Sequence, residues 1–133
     1  MPLPQVGGGY QYTDGNLNEV ALFVQGAPGA TTATSVTLTA AELTAGLYTS
    51  TNASAVAITL PTAALTDTLL ANAKVNSAFE IVFINLGSGS GAITVTAGTG
   101  WTIVGSATVA ITTSARYLAR KTGDAAYTLY RVA

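Results

Sequence analysis

Phe79-Glu80-Ile81-Val82-Phe83-Ile84-Asn85-Leu86, then Gly87-Ser88-Gly89-Ser90-Gly91, then Ala92-Ile93-Thr94-Val95-Thr96-Ala97 follow one another without a break, and their reading decides the fold. The outer two runs are rich in β-branched and aromatic residues and are bounded by turn formers, which is how strands read. The Gly/Ser run between them has the look of a phosphate-cradling loop. Such a loop needs a Lys-Ser/Thr pair after its last glycine and then a helix, whereas here Ala92-Ile93-Thr94-Val95 continues as a strand. A hairpin turn is therefore predicted at 87–91.

The same grammar extends in both directions. Gly98-Thr99-Gly100 is a turn that delivers Trp101, and short strand-like runs follow at 101–104, 108–112, 116–120 and 126–132. Upstream, 36–38 leads into Thr39-Ala40-Ala41-Glu42, a Ser/Thr-x-x-Glu capping box that starts a single helical turn before Gly46 ends it. Residues 55–60 alternate as a strand. Pro61 suits a helix start, and Leu65, Leu69 and Leu70 fall on one side of a helix predicted over 63–73.

Roughly seven to nine short strands at about ten-residue spacing, with no crossover helices between them, predict a mainly β fold. The expected architecture is an antiparallel β-sandwich or jelly roll with one short helix and an extended N-terminal arm. No repeat of fixed period is evident, so neither a solenoid nor a propeller is expected. The apolar phases assign the core to Val36, Leu38, Ile58 and Leu60, to Leu65 and Leu69 of the helix, to Phe79, Ile81 and Phe83, and to Ile93, Val95, Ile103, Val109, Ile111 and Leu129.

Residues 1–35 differ from the domain expected over 36–133. Pro2, Pro4, Gly7-Gly8-Gly9 and Gly26-Ala27-Pro28-Gly29 break any regular pattern, and only 19–25 reads as a strand. The segment still carries more large apolar side chains than a solvating tail needs. Tyr10, Tyr12, Leu17 and Phe23 are the anchors expected to hold this arm to a partner surface or a neighbouring protomer.

Composition narrows the function. Among 133 residues there is no His, no Cys, six acidic and five basic side chains. The usual means of neutral-pH catalysis are nearly absent, so no catalytic residue, cofactor or metal ligand is assigned and a non-enzyme is expected. A net charge of −1 with 8% charged residues argues against a nucleic-acid partner. No 18-residue apolar run and no signal-like N-terminus is present, so neither a membrane span nor export is expected.

The remaining candidates are few. Asp14, Glu19, Glu42, Asp67, Glu80 and Asp124 are scattered singly, leaving a glycosidase-type carboxylate pair as a remote alternative. Arg116, Leu118 and Arg120 share one strand face, with Tyr117 and Lys121 on the other. Arg116, Arg120 and Arg131 together read either as charges guarding a solvated edge or as an ion-pairing strip against an acidic partner. Trp101 reads as a core or interface anchor, or as a stacking platform for a ligand.

The runs Leu38-Thr39-Ala40-Ala41-Glu42-Leu43, Thr59-Leu60-Pro61-Thr62-Ala63-Ala64-Leu65, Phe79-Glu80-Ile81-Val82-Phe83-Ile84-Asn85, Ile93-Thr94-Val95-Thr96-Ala97-Gly98-Thr99-Gly100-Trp101 and Tyr127-Thr128-Leu129-Tyr130-Arg131-Val132 carry a resemblance. Over roughly 36–133 the chain resembles the small β-sandwich modules of tailed-bacteriophage virions, particularly head decoration (cement) proteins and related head-fibre modules. The resemblance implies a homotrimer on the outer surface of the capsid, made in the host cytoplasm, that clamps and stabilises the major capsid protein lattice. It transfers no individual site residue. The rival expectation is a receptor- or glycan-binding module of a fibre using Trp101, Tyr48 or Tyr117.

Overall fold

The computed structural model describes residues 22–133 and shows a β-sandwich. Ten strands and two short helices occur in it: β1 (Gly29–Thr31), β2 (Ser35–Thr37), α1 (Ala40–Thr44), β3 (Leu47–Ser50), β4 (Val56–Thr59), α2 (Ala63–Leu69), β5 (Ala78–Asn85), β6 (Ile93–Thr96), β7 (Trp101–Val104), β8 (Thr108–Val109), β9 (Ser114–Gly123) and β10 (Ala126–Arg131). One sheet has six strands in the order β1-β3-β5-β9-β10-β7, and the other has four in the order β2-β4-β6-β8. The sandwich thus reaches back to Gly29, into the stretch that the sequence assigns to the arm.

The strand sense corrects the antiparallel expectation. Five of the eight pairings are parallel: β1 with β3, β3 with β5, β2 with β4, β4 with β6, and β7 with β10. Only β5–β9, β9–β10 and β6–β8 run antiparallel, which excludes a jelly roll. Parallel neighbours need a crossover, and the sequence offers no helices for one between most strands. The crossover here is a strand of the opposite sheet. Strands β1 to β6 alternate between the two sheets, so β1–β2, β3–β4 and β5–β6 stack as three coils.

The coils leave no fixed period because they differ in length. Gly29, Tyr48 and Phe83 stand at one register in the six-stranded sheet, and Val36, Ile58 and Val95 at one register in the other. The second coil contains α2 and its following loop, which makes it much the longer. For the same reason 87–91 is an arch from β5 in one sheet to β6 in the other, rather than the predicted hairpin, and 98–100 is the arch back to β7.

Asn85 shows why the first arch carries glycine. Its buried Nδ2 donates to the carbonyls of Gly91 (2.8 Å) and of Val109 (3.0 Å), and its Oδ1 accepts from the Gly87 amide (2.8 Å). One side chain thereby ties β5 to the arch and to β8 of the opposite sheet. A Cβ at Gly87 or Gly91 would collide with the Asn52 carbonyl, so only glycine lets the backbones approach.

The shared interior contains Ile58, Ile93, Val95 and Val109 from the four-stranded sheet, facing Ile81, Phe83, Ala119 and Leu129 from the six-stranded one. Leu38 and Leu60 are also buried; Val36, Phe79, Ile103 and Ile111 are half-buried. Leu65 and Leu69 are corrections, at 58% and 49% exposed. α2 instead buries Ala63 and Thr66, because only small side chains let the helix lie this close to the sandwich. The capping box forms as expected: the Glu42 amide donates to Thr39 Oγ1 (3.1 Å) and the Thr39 amide to Glu42 Oε1 (3.0 Å). Gly46 closes α1 at φ +86°.

Candidate interaction surface

Every aromatic side chain offered for ligand stacking lies inside the fold. Trp101 is 7% exposed and stacks on Tyr127 with ring centroids 5.0 Å apart. Tyr48 and Tyr117 pack edge-on against Phe83 at 6.3 and 5.8 Å and are 1% and 0% exposed. Burial raises both of their hydroxyl pKa values. These rings belong to the core and offer no platform to a sugar or a base.

The ionisable groups divide into structural ties and surface charges. Asp67 Oδ1 accepts from Lys121 Nζ (2.8 Å) and from the Tyr127 hydroxyl (2.6 Å), and Oδ2 accepts from the Ala125 amide (2.7 Å). The hydrogen bond from Lys121, then those from Tyr127 and Ala125, hold the Asp67 carboxyl down at about 2. Desolvation, and then the bond to Asp67, push the Tyr127 hydroxyl upward. The cluster pins α2 to β9, β10 and their turn. It is also the one ion pair among the described residues.

The sequence carried a signal for this cluster. Lys121 follows Ala115, Tyr117 and Ala119 on the inward phase of β9, and a lysine there requires a partner. The identity of that partner was not legible, because Asp67 sits in a distant helix. Beside the cluster, a mainly apolar cleft of about 380 Å³ opens between the loop after α2, the start of β5 and Tyr127.

The three arginines do not form a strip. Arg131 lies on the inward phase of β10 opposite Tyr117, its guanidinium 5.6 Å from that ring. It donates to the carbonyls of Thr108 (2.7 Å) and Ala133 (2.7 Å), fastening β10 to β8. Arg120 donates to Asn76 Oδ1 (2.8 Å) and to the Tyr130 hydroxyl (2.8 Å). Arg116 is exposed on the same outer face as Arg120. Neither guards an edge, since β9 lies in the interior of its sheet.

That outer face is the most distinctive surface described. Leu47 stands opposite Val82 and Val82 opposite Arg116; Glu80 stands opposite Leu118, Leu118 opposite Tyr130, and Tyr130 opposite Val104. Leu47, Val82, Ile84, Leu118 and Tyr130 are half-buried, and Val104 is 48% exposed. The result is a band of large apolar side chains with Glu80 and Arg116 among them.

A second apolar element precedes the sandwich. Leu22, Phe23 and Val24 are 82%, 86% and 99% exposed, while Gln25 Nε2 donates to the Ala45 carbonyl (2.7 Å) at the end of α1. Phe23, one of the four side chains expected to anchor the arm, is thus exposed. Tyr10, Tyr12 and Leu17 lie outside the described residues.

Comparison of the chain with protein-family models, with curated proteins and with solved structures returns no match.

Proposed function

We propose that this chain is a non-enzymatic structural protein of a phage head, a decoration protein that binds the outside of the shell and stabilises the major capsid protein lattice. The observation carrying this reading is where the versatile side chains are placed. Trp101, Tyr48, Tyr117, Asp67 and Lys121 are occupied by packing and internal bonds, whereas large apolar side chains stay outside at 22–24, on and after α2 at Leu65, Leu69 and Val75, at Leu86 and Val132, and, half-buried, on the outer face of the six-stranded sheet. A surface of that kind suits binding to another protein surface. The resemblance given above supplies the shell as partner and the location on the virion.

Binding only to the assembled lattice would stabilise it by mass action, and several weak contacts from an oligomer would act together. The fibre-module alternative has less support, because its aromatic platform is inside the core. Co-sedimentation with heads stripped of decoration tests the proposal. Saturable binding at many copies per head, with a higher thermal stability of the head, is expected. Absence of binding, or attachment at only a few positions per particle, would overturn it.

A further inference from the structure

We propose that the outer face of the six-stranded sheet binds the same face of a second copy of this chain through a two-fold contact. The face carries both signs of charge on an apolar ground. Glu80 and Arg116 occupy outward positions on adjacent strands one register step apart, since Glu80 pairs with Leu118 and Val82 with Arg116. Among the described residues neither enters an ion pair. Arg120, on the same face, already donates to Asn76 and to the Tyr130 hydroxyl, which leaves the exposed Glu80 and Arg116 to answer a partner. A second copy turned by a two-fold axis places each Glu80 against the other copy's Arg116, which is the self-complementarity that an isologous contact requires.

The size fits as well. Six strands about 4.8 Å apart, rising about 3.3 Å per residue over their lengths, present a face of roughly 500 Å². Two such faces covered in full bury about 1,000 Å², the lower bound for a specific contact. Leu118 and Val82 lie beside the two charges and would form the dry centre, with Leu47, Ile84 and Tyr130 around them.

The inference stands on this face and not on the capsid reading, and it makes the solution unit a pair rather than the trimer that the resemblance implies. Sedimentation equilibrium of the full chain over a concentration series should give a dimer. Leu118→Lys should weaken association by tenfold or more. Thr96→Lys, on the outer face of the other sheet, should leave it unchanged, with a circular-dichroism melt confirming that both variants fold.

The charge exchange is sharper because both side chains are exposed. Glu80→Arg and Arg116→Glu should each be mainly monomeric alone and should pair when mixed, since the mixed pair restores both contacts. An ion pair within one chain could not be restored by mixing. A wild-type monomer, a trimer, or exchange variants that associate as well as wild type would each overturn the proposal. So would a monomer in which Leu118→Lys abolishes binding to heads, because the face would then belong to a different protein.

Discussion

The two outer faces of this sandwich are built on the same alternation and have opposite chemistry. The six-stranded sheet turns Leu47, Val82, Ile84, Leu118 and Tyr130 outward together with Glu80, Arg116 and Arg120. The four-stranded sheet turns out Ser35, Thr37, Ala57, Thr59, Thr94, Thr96 and Thr108, with no charge and nothing larger than threonine. Threonine satisfies strand propensity while exposing a hydroxyl, so the second face meets only the demands of a solvated sheet. The first face departs from those demands: its large side chains pack beside one another across the strands and stand half-buried, with Glu80 and Arg116 exposed among them.

The comparison presumes that the inner faces are equivalent, which sets the largest effects. Ile81 in the six-stranded sheet and Ile58 in the four-stranded one are each 0% exposed. Ile81→Ala and Ile58→Ala should each cost about 2–5 kcal/mol in chemical denaturation. A change below about half a kcal/mol at either would mean that its sheet does not share the core, and the contrast between outer faces would lose its basis.

The Asp67 cluster ties α2 to the six-stranded sheet and makes no bond to the other, so its titration should separate the two layers. Asp67 has a folded pKa of about 2, below its unfolded value, so its contribution is complete above the ordinary carboxylate range near pH 4 and is lost as pH falls toward 2. With no His or Cys to titrate, stability should be flat between pH 6 and 8. Thermal melts of Asp67→Asn should lose part of the acid-limb dependence seen in wild type. An identical acid limb in both proteins would remove Lys121–Asp67 as a stabilising tie.

Much of this arrangement was legible in the sequence, for a reason that also explains what was not. Alternation fixes which side of a strand faces inward, so Ile81, Phe83, Ile93, Val95 and Val109 were identified as core, and Thr39 with Glu42 announced their own cap. Strand sense depends on the route of the connections, which phase does not encode, so the arch at 87–91 read as a hairpin and the stacked coils as an antiparallel sandwich. The face of α2 failed because hydrophobicity pointed to Leu65 and Leu69 while close approach required Ala63 and Thr66. Arg116 and Arg120 were correctly placed on one face, but Arg131 was grouped with them by proximity in sequence, and phase sends it the other way.

The outer faces themselves should respond weakly in stability and strongly in association. Val82→Thr gives the six-stranded face the character of its counterpart and keeps a β-branched strand former, so it should change stability by about 1 kcal/mol or less, while weakening self-association about tenfold, or about 1.4 kcal/mol. Thr59→Val makes the reverse change and should leave association as it was. Concentration-dependent sedimentation alongside urea unfolding checks both. Equal effects on association would mean that the contrast between faces has no bearing on binding.

The smallest effect concerns how the chain leaves each sheet. Thr112, in the connection from β8 to β9, sits at φ +56°, and Ala125, in the turn from β9 to β10, at φ +48°. A left-handed conformation costs an L-residue about 1–2 kcal/mol, most for a β-branched one, and glycine avoids this while losing about 0.5–1 kcal/mol of chain entropy. Thr112→Gly should therefore stabilise by up to about 1 kcal/mol, and Ala125→Gly by less, because alanine has no branch to relieve. Neither loses a tie between elements: the Ala125 amide that donates to Asp67 is retained in glycine, and Thr112 Oγ1 bonds only to the neighbouring Ile111 carbonyl. If Thr112→Gly destabilises in urea unfolding, the side chain contributes more than its backbone strain costs. The cleft that Thr112 lines with Ile84 and Leu86 would then be the place to look for that contribution, at the end of the six-stranded sheet and not on the threonine face.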